Sequence, residues 1–167
     1  MLCTVALIAG SLSGHALGGL PVHDKLFGPK RLSDVEAKRI LRGLMLNTYR
    51  AFMLDKDEEI YDVLARSVDG EFLSEVYLQN KEALRMDATE GVMGIVHRLD
   101  IKSIESMKPL KNGTIIIVAN WDVYGSVSHW KHIHFRCNTY RAEVTIVPTE
   151  NYWKLTGIQL LDEQRVI

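Results

Sequence analysis

Cysteine is scarce in this chain of 167 residues: it occurs twice, as Cys3 and Cys137. Two thiols cannot build a disulfide framework or a four-thiolate zinc site, so neither class applies. An excess of charge of one sign is missing too, with 20 basic against 21 acidic residues, which removes the electrostatic basis for a nucleic-acid partner. No Walker A loop, no Gly-x-Gly-x-x-Gly turn, no Gly-x-Ser-x-Gly elbow and no His-Glu-x-x-His helix occurs, so the common nucleotide-binding and hydrolase signatures are excluded. There is no internal repeat and no low-complexity tract.

Residues 1–22 contain no Asp, Glu, Lys or Arg at all. Residues 2–10 are mostly apolar, and Gly14-His15-Ala16 offers small residues where a signal peptidase could cut, so a secretory signal or a membrane anchor is expected. That favours a place outside the cytoplasm or at a membrane, reached only through residues 1–22. The missing basic residue after Met1 and the Gly/Ser-rich second half point the other way, toward a cytoplasmic arm. Lys25, Lys30 and Arg31 read as a linker. Residues 1–31 are therefore set apart from one domain at residues 32–167, a length that suits a single core.

Within that domain helices come first. Ser33-Asp34-Val35-Glu36 is a capping box, and Val35, Ala37, Ile40, Leu41, Leu44, Met45, Thr48 and Phe52 recur at helical spacing behind it. Asp55-Lys56-Asp57-Glu58-Glu59 puts acids at the positive end of a second, short helix carrying Ile60, Val63 and Leu64. After Val68-Asp69-Gly70, the residues Phe72, Leu73, Val76, Tyr77 and Leu84 give a third.

From Met93 the period becomes two. Met93, Ile95, Leu99 and Ile101 share a strand face with His97. Asn112-Gly113 turns the chain into a strand at residues 114–128, with Ile115, Ile117, Ala119, Trp121, Val123 and Val127 on one side. A third strand covers residues 130–147, and Pro148 to Asn151 turns into a fourth at residues 152–162. Short connections require antiparallel neighbours. The fold class is α+β: N-terminal amphipathic helices packed on a strongly curved antiparallel sheet of about four strands. Curvature is expected because two strands change apolar parity, the third near Asn138 and the fourth at Gly157, and a bulge or glycine bend inserts the extra residue. If Gly157 has positive φ or closely approaches another backbone, Gly157→Val costs about 1 kcal/mol or more.

This order of elements, closing on Asn151-Tyr152-Trp153-Lys154-Leu155 and the tail Asp162-Glu163-Gln164-Arg165, resembles the nuclear transport factor 2-like superfamily over residues 32–167. The resemblance implies a cone-shaped, cystatin-like α+β fold with a pocket between the helices and the concave sheet. That superfamily holds enzymes and non-catalytic interaction modules, so function has to be argued from the site.

Three constellations carry chemistry. His97, Trp121 and Tyr140 could line a pocket for a small apolar ligand, with His97 as general base in a lyase or isomerase. No catalytic set is recognisable, however, and a non-catalytic ligand- or protein-binding domain is the preferred function, with no cofactor. His132 and His134, two apart on a strand, have the spacing of paired imidazole metal ligands. His129 would need a rotated turn to join them, Asp122 or Glu143 would have to complete the set, and Arg136 on the same face opposes a cation. Finally, Trp130, His132, His134 and Arg136 form a stripe opposite Ile133 and Phe135. A strand face turned to helices is apolar, so this stripe is expected on the outer face, as an interface for a homo-oligomer or a protein partner.

Overall fold

A computed structural model describes residues 32–54, 56–90, 92–129, 132–150 and 152–166, with backbone only at 83–90, 92, 93 and 129. The expected signal or anchor segment, the linker up to residue 31 and Trp130 lie outside the described residues. No described helix is long and apolar enough to cross a membrane.

Three helices precede four strands: α1 (Asp34–Ala51), α2 (Asp57–Ala65), α3 (Gly70–Glu90), β1 (Val92–Pro109), β2 (Ile115–His129), β3 (His132–Pro148) and β4 (Trp153–Arg165). The capping box forms as the sequence suggests: Ser33 Oγ accepts from the Glu36 amide at 3.3 Å, and Glu36 Oε2 accepts from the Ser33 amide at 2.9 Å. Two orphan donors at the helix start are thereby satisfied. Ala37, Leu41, Leu44, Met45 and Thr48 bury one stripe of α1. Val35, expected in that stripe, is 77% exposed. It lies two residues before Ala37, roughly 200° around the helix, and so points away from the core.

The strands form one open antiparallel sheet in the order β1-β2-β3-β4, a meander. Gly113 takes the left-handed φ of +83° that the turn before β2 requires, and Asn112 Oδ1 accepts from the Thr114 amide at 3.2 Å. The β2–β3 ladder is unbroken, every residue of β2 having a partner. The outer ladders are not. β1 carries an extra residue at His97, Lys102 and Glu105, and β4 at Thr156 and Leu161. Each bulge bends its strand and adds twist.

The two expected bends fare differently. Gly157 adjoins the Thr156 bulge, as its parity change implies. Asn138 is paired regularly with Val123 on one side and Arg165 on the other, with no bulge. The apolar residues on either side of it simply belong to opposite faces: Tyr140, Ala142, Val144 and Ile146 face the core, whereas Ile133 and Phe135 are 66% and 70% exposed on the other face. Gly157 itself has neither a positive φ nor a close backbone neighbour, a β-carbon there meeting only the Thr145 side chain at 3.8 Å. Neither condition for a penalty holds, so Gly157→Val is expected to stay within about 0.5 kcal/mol of the parent in urea unfolding.

The core lies between the helices and one sheet face. Cross-strand pairs Ile115–Ile146, Ile117–Val144, Ala119–Ala142 and Trp121–Tyr140 stack along it, joined by Leu99, Leu155 and Ile158 from the outer strands. Helices and sheet are also tied by polar bonds. Lys38 Nζ donates to the carbonyl of the bulged Lys102 at 2.7 Å, and Arg42 Nε to that of Leu99 at 3.2 Å. Behind α2 the chain adds a parallel bridge to β4, Leu155 donating to Ser67 O at 2.7 Å and accepting from Asp69 N at 2.9 Å.

Candidate functional site

Along the helix-covered face of β2 and β3 the rungs change character in one direction. After the apolar pairs comes Trp121–Tyr140, then Val123–Asn138, Gly125–Arg136 and Val127–His134. Because this ladder is unbroken, all these residues share one face. The core therefore grades into a polar patch on the same face of the sheet.

At the boundary the rings of Trp121 and Tyr140 stack, with centroids 5.8 Å apart and planes at 26°. Tyr49 of α1 is buried beside them, and desolvation drives its hydroxyl far above the usual tyrosine range. Burial likewise pushes the Tyr140 hydroxyl up to about 12. Asn138 Nδ2 donates both to Tyr140 Oη and to Glu163 Oε1, each at 3.1 Å. Since a carboxylate can only accept, Glu163 fixes which way this amide points.

Among the described residues, three buried polar atoms in this patch have no hydrogen-bond partner: Trp121 Nε1, Asn138 Oδ1 and Arg136 Nε. The Trp121 indole is directed toward the Tyr49 hydroxyl, but not within ordinary hydrogen-bond length and angle. Buried polar groups are nearly always paired, because each orphan costs roughly 1–3 kcal/mol. The three are two donors and one acceptor on neighbouring rungs of one sheet face.

Of the sequence-expected pocket residues, Trp121 and Tyr140 come together and His97 does not join them. His97 is the extra residue of the first β1 bulge, is exposed, and places Nε2 2.8 Å from Ser126 Oγ with its ring 6.3 Å from Phe135. Ser126 and Phe135 belong to the face away from the helices, so a base at His97 cannot reach a ligand at Trp121. The bulge broke the alternation on which the expected shared face rested. His132, His134 and Arg136 are also not on the outer face. They continue the face that carries Tyr140, the histidines exposed and Arg136 half-buried.

The rings of His132 and His134 are 6.4 Å apart. The proposed further ligands, Asp122 and Glu143, lie on the opposite face, and no group of three metal-ligating residues is assembled among the described residues. Asp122 is engaged there by Thr139 Oγ1 at 2.7 Å, Lys102 Nζ at 3.2 Å and Tyr124 Oη at 3.3 Å. Burial pushes its carboxyl up, and these partners outweigh that and hold it below the usual range.

Nearby, the bulged Glu105 takes three bonds of 2.8–3.1 Å from Arg141 and one of 2.7 Å from Asn120. Arg141 above all, then Asn120, lowers the Glu105 carboxyl to about 2. A depressed folded-state value gives stability that is present above the unfolded value of 4.5 and lost as pH falls toward 2. Glu105→Gln is accordingly expected to flatten the acid limb of thermal stability between those values, while leaving its slope at neutral pH unchanged.

A second concavity of about 400 Å³ runs between the start of α3 and the β4 bulge, lined by Asp69, Glu71, Glu75, Glu143, Thr156 and Gln159 among others. Sequence patterning missed it because its lining residues come from three separated segments.

No protein-family model matches the chain, and no curated protein matches it. Among solved structures it is similar to the intermembrane space region of the chloroplast protein ARC6, with a TM-score of 0.56 and 18% identity. The match covers 79% of this chain and 98% of that one, and at this identity the likeness is one of fold.

Proposed function

We propose that residues 32–167 form a non-catalytic ligand- or protein-binding domain of the nuclear transport factor 2-like type, with its site on the concave face around Trp121, Tyr140, Asn138 and Arg136. The observation that carries this reading is the trio of buried, unpartnered polar atoms on adjoining rungs of that face. An apolar ring stack flanked by a few directed polar groups suits a small planar ligand or the end of a peptide carrying both a donor and an acceptor. Binding is favoured over isomerase or lyase chemistry because the histidine that would serve as base, His97, is on the other face.

Fragments bearing primary amides or carboxylates, titrated against isotopically labelled protein, test the site. Binding is expected to shift the Trp121 indole N–H and the Asn138 side-chain amide together and to raise the melting temperature. Trp121→Phe keeps a ring against Tyr140 but removes the donor, and is expected to weaken binding about tenfold, the loss of one directed hydrogen bond. Fragments that bind without moving either signal would rule out this site.

A further inference from the structure

On the face that carries Tyr140, the acceptor of the unpartnered trio sits between the two donors: Trp121 lies on one rung, Asn138 on the next and Arg136 on the one after. Arg136 is half-buried, its Nε is closed to solvent, and among the described residues it forms no hydrogen bond or ion pair. The residues around it on this face are Gly125, Val123, Val127, His134 and Asn138, none of them acidic. Glu163, opposite Tyr140, is engaged by Asn138. A guanidinium drawn partly out of water is ordinarily compensated by an anion. Gly125 stands directly opposite Arg136 and contributes no side chain, so of the three rungs this one alone lacks a cross-strand neighbour with a side chain.

We propose that the site around Trp121, Tyr140, Asn138 and Arg136 takes a small hydroxy carboxylate, an inference that rests on the binding-site reading and names its ligand. Trp121 Nε1 and Arg136 Nε can only donate, and Asn138 Oδ1 can only accept. A carboxylate over Gly125 accepts from Arg136 and neutralises its charge, in a charge-assisted bond. Toward Asn138 the same ligand has to donate, and toward Trp121 it has to accept. A hydroxyl does both with one atom. A protonated amine donates but has no lone pair for Trp121, and its charge is set against that of Arg136. An acylated amine fills both roles only by reaching further along the rungs, past Val123 to Trp121 and Tyr140, which are 2% and 6% exposed. The ligand is therefore compact, with its anion over the glycine and its hydroxyl toward the rings.

The probes are α-hydroxybutyrate and β-hydroxybutyrate, titrated against isotopically labelled protein beside butyrate, α-aminobutyrate, N-acetylglycine and α-hydroxybutyramide. One of the hydroxy acids is expected to shift the Arg136 Nε–H, the Asn138 side-chain amide and the Trp121 indole together. Its affinity should exceed that of butyrate and of the hydroxyamide by at least about tenfold, since butyrate lacks the hydroxyl and the amide lacks the charge. Arg136→Gln removes an uncompensated charge, so it should leave the melting temperature at or above that of the parent while abolishing the preference for the acid over its amide. Equal affinity for butyrate and both hydroxy acids, tighter binding of α-aminobutyrate or N-acetylglycine, or a preference for the acid that survives Arg136→Gln would overturn the proposal and leave the site to a different ligand. Silence toward all six probes overturns it as well. If amide-bearing fragments then also leave the Trp121 and Asn138 signals unmoved, the binding-site reading falls with it, and if they move those signals, that reading stands without this ligand.

Discussion

Gly125→Ala is expected to destabilise the domain by about 2 kcal/mol, and Gly125→Val by more, as overpacking against an immovable neighbour does. A β-carbon at this position would lie 2.6 Å from the carbonyl oxygen of Ile95 and 3.8 Å from Val96 Cα. Both are backbone atoms of the adjacent strand, so no rotamer change relieves the contact. The cause is the bulge one residue away. β1 pairs Val96 with Gly125 and then Arg98 with Tyr124, and the extra residue His97 swings the β1 backbone against β2 at the glycine. The clash can clear only if the bulge is lost, which would slip the β1 register and move Ile95 to the other face. Urea unfolding of both variants provides the measurement. An alanine variant as stable as the parent would show that β1 does not press on β2 here.

Leu155→Ala is expected to cost about 3 kcal/mol, equivalent to a fall in melting temperature of roughly 10 °C for a domain of this size. Leu155 is fully buried, and its backbone is the point where the segment following α2 is fastened to β4. Those backbone bonds survive the truncation, so the wall cannot collapse freely into the space the side chain leaves, and a cavity that stays open is the costly kind. Leu161→Ala is the control. It removes the same atoms from the second β4 bulge, where the side chain is 44% exposed, and is expected to change stability by less than about 1 kcal/mol. Similar losses for the two variants would mean that the Leu155 side chain is not held in a closed core.

The elements were legible in the sequence wherever one face is covered. Ser33 and Glu36 announce α1, Asn112-Gly113 announces the hairpin into β2, and the alternation of Ile115, Ile117, Ala119 and Trp121 gives a whole strand face correctly because the β2–β3 ladder keeps strict period two. Legibility ends at the bulges. In β1 the extra residues at His97, Lys102 and Glu105 shift the parity three times, so His97 looks inward on paper and points outward in the fold. In β3 the difficulty is different: the helices cover one face of the sheet, and a hydrophobic residue on the other face, such as Phe135, carries no sign in its letter that it stays 70% exposed. Half of the candidate pocket, Trp121 with Tyr140, was within reach of patterning. Asn138 and Glu163 were not, since they meet through register between two strands, and Tyr49 reads only as one more helix residue near the core stripe.

The concentration of irregular pairing in the outer strands bears on how chain length can vary. Among the described residues, β1 has a sheet neighbour on one side alone, and β4 has one apart from its bridge to Val68 at Leu155. A residue gained or lost in either disturbs a single ladder, and the chain already absorbs five such additions there. The same event in β2, or in β3 from Asn138 onward, would break two ladders at once and exchange core-facing for outward-facing side chains over the rest of the strand. Single-residue insertions should thus be accepted in the first and last strands and rejected within β2 and within β3 from Asn138 to Ile146, where each residue is held to a neighbour on both sides.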